Sequence, residues 1–223
     1  MDPEIKARCN ETILQDAMRR FGIAPNNQIR LLDGFESFIY AYTRNDHDFI
    51  LRIGHSSRRS PQLIAGEVEW INHLADGGAG VARAILSEAG NLVEAIDDIH
   101  GDQFLATAFV KAAGRSPRQD DWTPALYEAY GRLLGRIHAL SKQYTPSDPA
   151  IRRPDWDDPQ NLGTLTWLPQ DEPVLIEKAQ QVLTHLNTLS RDADSYGLIH
   201  QDAHPGNFFV ADGNRITLFD FDD

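Results

Sequence analysis

The stretch that decides the reading is His200-Gln201-Asp202-Ala203-His204-Pro205-Gly206-Asn207, followed after a short interval by Asp220-Phe221-Asp222-Asp223. Between the two lie a pair of apolar runs, Phe208-Phe209-Val210 and Ile216-Thr217-Leu218-Phe219, separated by Asp212-Gly213-Asn214. An Asp-Gly turn between apolar runs predicts a hairpin. A hairpin brings its ends together, so Asn207 and Asp220 are expected side by side, with Asp202 on the preceding loop. Three oxygen-bearing side chains then converge on one point. Magnesium-dependent phosphoryl transfer needs such a set: the metal takes oxygen ligands and bridges phosphates, while another carboxylate orients the attacking hydroxyl.

The pattern His200-x-Asp202-x-x-x-x-Asn207 followed by Asp220-Phe221-Asp222 resembles the catalytic and metal-binding loops of the aminoglycoside phosphotransferase and choline kinase-like family. The run His204-Pro205-Gly206-Asn207 is especially typical of that family. The resemblance implies an α+β, protein-kinase-like two-lobed fold, with an N-terminal antiparallel five-stranded sheet, one inserted helix and a mainly helical C-lobe. It also implies ATP- and Mg2+-dependent transfer of a γ-phosphoryl group to a hydroxyl of a small molecule, of the amino sugar, amino alcohol or hydroxy amino acid class; GTP is not excluded as donor. By the same resemblance Asp202 accepts or orients the hydroxyl proton, and Asn207 and Asp220 ligate the metal with Asp222 assisting. His200 and His204 support the loop.

Three other readings fit parts of the pattern. One is a bacterial Ser/Thr protein kinase of the same fold, and another is a catalytically weak nucleotide-binding module. The third is a metallohydrolase, because His200-x-Asp202-x-His204 puts three ligand types at alternate positions, as on one strand face. That last reading lacks material, since Pro205-Gly206 ends any strand there.

Upstream, Asn10 to Arg20 reads as a helix, with Ile13 and Ala17 spaced for one face. Phe38-Ile39-Tyr40-Ala41-Tyr42 and Phe49-Ile50-Leu51-Arg52-Ile53 flank a turn at Asn45-Asp46-His47 and predict a second hairpin. Ser60-Pro61 is a helix start, a capping residue with Pro at the first position, and Ile64, Val68, Ile71 and Leu74 follow on one face. Strands are expected around Leu86 and Leu92, flanking the Gly90 turn, and from Phe104 to Val110. Residues 1–110 are read as the nucleotide-binding N-lobe, 111–114 as the hinge and 115–223 as a partial C-lobe.

A kinase-like fold places a cation on its third strand for the nucleotide phosphates, held by a helix carboxylate. No lysine occurs there, and Arg52 is the basic residue that fits; strand alternation puts it opposite Leu51 and Ile53. Glu67 and Glu69 compete as its partner. Glu67 is chosen because Glu67-x-x-x-Ile71 resembles the family's helix start. Gly34-Phe35-Glu36-Ser37 is expected to cover the phosphates through Ser37 and backbone N–H groups. The adenine is expected against Thr107 to Lys111, which includes Phe109 and Lys111.

In the second half, Thr123-Pro124 caps a helix carrying Leu126, Tyr130, Leu133, Ile137 and Leu140. A Pro-rich stretch, 144–173, should be loop, and its Asp155-Trp156-Asp157-Asp158 either lines an acceptor pocket or is solvated. A further amphipathic helix is expected from about Val174 to Arg191. The chain stops directly after the metal-binding segment, where the resembled family continues with several helices. The expectation is therefore a C-terminally truncated C-lobe, with the acceptor site open and poor transfer even when Mg-ATP binds. The helices at 123–141 and 174–191 would then expose apolar faces and favour self-association.

At 223 residues the chain is long enough to bury a substantial core. Its net charge is −12, with lysine only at positions 6, 111, 142 and 178. The absence of a basic patch argues against a nucleic-acid or anionic-membrane partner. The single cysteine, Cys9, excludes an intramolecular disulfide and suits a reducing cytoplasm. The Met1-Asp2-Pro3-Glu4 start lacks the features of a secretory signal, and no apolar run approaches membrane-spanning length.

Overall fold

The structure, a computed structural model, describes residues 2–34, 36–162, 168–169 and 171–222. Phe35 of the expected phosphate-covering loop, Asp223 and part of the Pro-rich stretch lie outside the described residues. Two short helices lead in, α1 (Pro3–Arg8) and α2 (Glu11–Arg20). Asn10 caps α2 by accepting from the backbone N–H groups of Thr12 and Ile13, filling donors that a helix start leaves open.

A six-stranded antiparallel sheet follows: β1 (Ile29–Leu32), β2 (Phe38–Arg44), β3 (His47–His55), β4 (Ala84–Ile85), β5 (Glu94–Asp97) and β6 (Gln103–Val110). Its order is β1-β2-β3-β6-β4, with β5 also pairing β6. Helix α3 (Pro61–Asp76), capped by Ser60, is inserted between β3 and β4. The sheet has one strand more than the sequence predicts. The extra one, β1, is a four-residue edge strand with Leu31 exposed, so it carries no inside–outside alternation to reveal it. The β4 and β5 positions also shift from expectation, and Leu86 lies exposed in the turn between them. Of the two buried positions of β5, Glu94 and Ile96, the first is charged: Glu94 accepts from Arg20 of α2 at 2.8 Å and from Ser87 and Asn91.

Both faces of the sheet are covered. Leu51, Ile53, Ala106 and Ala108 point to one side, against Ile13, Ala17, Met18 and Phe21 of the α2 region. The opposite side meets α3. There Val68, Trp70, Ile71 and Leu74 share a core with α4 (Pro124–Ser141) and with the hairpin of β7 (Phe208–Ala211) and β8 (Arg215–Leu218). Burying each such side chain is worth about 1.5–3 kcal/mol. The apolar positions of α4, namely Leu126, Leu133, Ile137 and Leu140, are buried in this core. They are therefore not the open face expected of that helix. Among the described residues two α-helices follow α4, the four-residue α5 (Pro159–Leu162) and α6 (Pro173–Leu186). Helix α6 is shorter than expected and buries none of its residues, leaving Val174, Leu175 and Val182 exposed. Among the described residues no helix is long and apolar enough to cross a membrane.

The predicted hairpin is present, with Phe208 opposite Leu218 and Phe209 opposite Thr217. It is tied to the rest at two places. Strand β8 bonds the segment before β4, through Leu218 N–H to Gly80 O (2.8 Å) and Ala82 N–H to Leu218 O (2.9 Å). Strand β7 pairs Arg115, directly after Lys111-Ala112-Ala113-Gly114. Gly114 has φ +89°, and a Cβ there would stand 2.1 Å from the Val210 carbonyl oxygen, so the close approach needs glycine.

Candidate active site

The 200–207 segment is shaped by its own polar groups. His204 opens a short 3-10 turn and its Nδ1 accepts from the Gly206 N–H at 2.8 Å. A Cβ on Gly206 would fall 2.4 Å from the imidazole, so the ring lies over the glycine. Asn207 is buried, and its Nδ2 donates both to the Asp202 carbonyl (2.9 Å) and to the Asp202 carboxylate (3.0 Å). His204 Nε2 lies 3.5 Å from the same carboxylate. Tyr130 of α4 donates its hydroxyl to the Ala203 carbonyl. The Asp202 side chain is thus held by neighbours while remaining half exposed to solvent.

The hairpin returns the chain beside this loop. Phe219 N–H donates to the Asn207 carbonyl at 2.9 Å, which brings Asp220 next to Asn207. His200 is buried, contacts the Phe219 carbonyl through Nε2 at 2.9 Å, and packs on Phe221 with ring centroids 4.3 Å apart. Phe221 also meets Trp70 of α3 edge-on at 5.3 Å. Gln201 and Asp220 both have left-handed backbone, φ +65° and +69°. Such conformations cost non-glycine residues free energy and gather where surrounding contacts over-determine the chain.

Across the cleft, Arg52 is buried in β3 and faces Glu67 of α3. Their two terminal hydrogen bonds measure 2.8 and 2.6 Å, and Arg52 Nε donates to Thr107 Oγ1 at 3.2 Å. The guanidinium also lies 5.1 Å from the Phe109 ring centroid. Burial works against the charged guanidinium, but Glu67, helped by Asp222 and Asp220, outweighs it and raises the Arg52 pKa above its ordinary value. Glu69, the competing candidate, faces away: it accepts from Tyr144 Oη (2.8 Å) and from the backbone N–H (2.9 Å) and hydroxyl of Ser147. Lys111 pairs with Asp48 at 2.9 Å on the cleft rim.

Asp202, Asn207, Asp220, Arg52, Glu67 and Ser37 line one cleft of about 690 Å3, and Phe109, Lys111, His204 and Asp222 line it too. His200 stands behind it. The donor set suits a hard divalent cation: with the Asn207 amide nitrogen spent on Asp202, its oxygen remains as a ligand beside the Asp220 carboxylate. Asn207 and Asp220 would hold such an ion, and the ion would supply positive charge to offset that of the phosphates.

Two alternatives left open or disfavoured by the sequence can be weighed against the geometry. The carboxylates of Asp155, Asp157 and Asp158 are held by Arg152 and Arg191 and none of them lines the cleft. Local ion pairing therefore accounts for that acidic stretch. The His200-x-Asp202-x-His204 strand face of the disfavoured metallohydrolase reading is not formed: left-handed Gln201 breaks the strand, and His200 turns inward to Phe219 and Phe221. Among the described residues, His55, Asp98 and Asp102 make a compact group of metal-ligand types. A guanidinium nitrogen of Arg8 sits among them, 3.1 Å from Asp98 and 3.0 Å from Asp102.

Sequence reasoning missed two arginines, Arg58 and Arg59. Arg58 lies in the cleft and pairs with both Glu36 and Asp222; Arg59 Nε donates to the Asp222 carbonyl at 3.1 Å. Burial raises the Asp222 pKa, but Arg52, Arg58 and Arg59 outweigh this and hold it below the usual carboxylate range. The available signal was the Arg58-Arg59 doublet just before the helix cap at Ser60.

The sheet with its inserted helix, the buried cation–carboxylate pair and the Asp202–Asn207–Asp220 loops together define a kinase-like architecture. Residues 28–223 match the phosphotransferase enzyme family, and the chain belongs to it. It is 38% identical over 213 residues to the amicoumacin kinase of Bacillus subtilis (strain 168), covering 96% of this chain. The match spans 63% of that relative's length, less than two thirds. Among solved structures, amicoumacin kinase hAmiN in complex with AMP-PNP, Ca2+ and Ami superposes with a TM-score of 0.92 at 37% identity, covering 100% of this chain and 67% of that one. A microcompartment-associated aminopropanol kinase superposes with a TM-score of 0.72 at 25% identity, covering 96% and 70%.

Proposed function

We propose that the protein transfers the γ-phosphoryl group of ATP, with Mg2+, to a hydroxyl of a small amine-bearing molecule. One observation carries this reading: the Arg52–Glu67 pair and the Asp202, Asn207 and Asp220 side chains line the same cleft. Arg52 and a metal on Asn207 and Asp220 would neutralise the triphosphate from two directions. Asp202 would orient the acceptor hydroxyl and take its proton as the phosphoryl group moves.

The donor assignment draws support from the AMP-PNP and Ca2+ bound by the amicoumacin kinase neighbour. The acceptor class draws support from the aminopropanol kinase, whose acceptor by its name carries an amine and a hydroxyl. The acidic cleft residues and the net charge of −12 favour a cationic acceptor over an anionic one.

Calorimetry with Mg-ATP, followed by a phosphate-transfer assay over amino alcohols, amino sugars, hydroxy amino acids and amicoumacin, tests both halves. Mg-dependent ATP binding and acceptor-stimulated ADP release are expected. A chain that binds no Mg-ATP would end the reading, and one that binds it but phosphorylates only hydroxyls lacking an amine would end the acceptor assignment.

A further inference from the structure

Among the described cationic residues of the cleft, Arg58 joins two segments yet has no role in the scheme above, and Arg30 lies exposed at the β1 edge. All three guanidinium nitrogens of Arg52 are engaged, two by Glu67 and one by Thr107. Lys111 is bound to Asp48 at the rim. Arg58 is different. It projects from the turn between β3 and α3 and joins two segments that border the phosphates in the proposed reading. One of its nitrogens pairs with Glu36, in the loop after β1, and the other with Asp222, beside the candidate metal ligands. The Glu36 side chain is 37% exposed and that of Asp222 only 13%, so the Glu36 arm is the more solvated and the cheaper to release.

A carboxylate on the loop over a phosphate site would repel the nucleotide unless it is matched by a cation. A guanidinium offers a planar fork of donors that fits carboxylate and phosphate alike. We propose that Arg58 is a second phosphate-binding cation, and that Glu36 occupies its outer arm until the nucleotide binds. On binding, Arg58 exchanges the Glu36 carboxylate for a phosphate oxygen and keeps Asp222. The exchange is one of ionic partners, with no bond made or broken. This rests on the ATP reading above, and adds to it a competing internal anion that sets nucleotide affinity.

The test is calorimetric binding of Mg-ATP, Mg-ADP and adenosine to the parent chain and to Arg58→Gln, Arg58→Lys and Glu36→Gln. Arg58→Gln should weaken Mg-ATP by roughly tenfold to a hundredfold, the scale of a lost hydrogen bond to a charged group. Adenosine, which carries no phosphate, should bind Arg58→Gln as it binds the parent. Arg58→Lys should restore part of the loss. Glu36→Gln should act in the opposite direction and tighten Mg-ATP, because the competitor is gone. Equal weakening of ATP and adenosine by Arg58→Gln would reduce Arg58 to a structural role and overturn the proposal. So would an unchanged or weakened affinity in Glu36→Gln, a change that keeps the size and polarity of a partly exposed side chain and so leaves the fold intact. A parent chain that binds no Mg-ATP would instead fail the underlying ATP reading.

Discussion

Arg52 of β3 and Glu67 of α3 meet in a two-point ion pair, 2.8 and 2.6 Å, with both side chains withdrawn from solvent. Removing one partner of such a pair leaves an uncompensated buried charge. Glu67→Ala should therefore cost about 3–5 kcal/mol in denaturant unfolding. Arg52→Lys keeps the charge but loses the fork and the bond to Thr107. It should lie between the parent and Arg52→Ala both in stability and in apparent KM for ATP. Parent-like unfolding of Glu67→Ala would show that the pair contributes nothing to the fold.

The catalytic loop gives a prediction that separates binding from chemistry. Asp202 is half exposed in the cleft, whereas Asn207 is buried and holds the Asp202 backbone and side chain together. Asp202→Asn should leave Mg-ATP binding intact and lower kcat by roughly 10²-fold or more, the scale of a positioned general base. Asp220→Ala should instead remove the Mg2+ dependence of nucleotide binding. Asn207→Ala should damage both, since it removes a metal-ligand candidate and frees Asp202. Undiminished turnover in the Asp202 variant would displace it from the reaction.

Arg115, directly after Gly114, carries a pH-dependent contact. Arg115 binds both carboxylate oxygens of Asp121, at 2.6 and 2.9 Å, and this bond, with the backbone N–H of Arg118, holds the Asp121 pKa down to about 2. A folded-state pKa below the unfolded value, about 3.9 for Asp, stabilises above the unfolded pKa and is lost as pH falls through the folded one. The stability difference between the parent and Asp121→Asn should thus be constant above pH about 5 and vanish between about 4 and 2. Added salt should shrink it throughout, because the pair is exposed. Urea titrations of both proteins across this range check the sign.

What the sequence made legible follows its physics. The β7–β8 hairpin was readable because turn chemistry and apolar runs agree locally over 208–219. The side of the sheet occupied by Arg52 followed from alternation alone, but its burial did not, since that depends on α3 packing over the strand. The choice of Glu67 over Glu69 needed a family resemblance, because both sit at plausible helical positions. Arg58 was invisible for a different reason. Its partners, Glu36 and Asp222, lie in separate loops, the second 164 residues away, and long-range pairing of single charges leaves no periodic trace. Strand β5 is displaced from its expected place because one of its two buried residues is Glu94, which becomes a core residue only when Arg20 arrives from α2; Ile96 alone gives no apolar alternation.

Helix α3 is also clamped by the 149–151 turn, and three glycines allow the clamp to be weighed. Gly66 lies one residue before Glu67, and a Cβ on it would stand 2.1 Å from the Ile151 carbonyl oxygen. The same segment is anchored by Tyr144 and Ser147 on Glu69. In α4, by contrast, Gly131 and Gly135 are exposed and a Cβ on either would meet nothing within 4 Å. Helix propensity alone predicts that each Gly→Ala change stabilises by roughly 0.5–1 kcal/mol. Gly131→Ala and Gly135→Ala should do so. Gly66→Ala should destabilise instead, because backbone atoms rather than a flexible side chain block the new methyl group and the 149–151 turn must move off α3. It should also raise the KM for ATP, since Glu67 shares that helix turn and positions Arg52. Thermal unfolding of the three variants under one condition decides the matter. Stabilisation by Gly66→Ala equal to that of the α4 pair would mean the 149–151 turn does not press on α3.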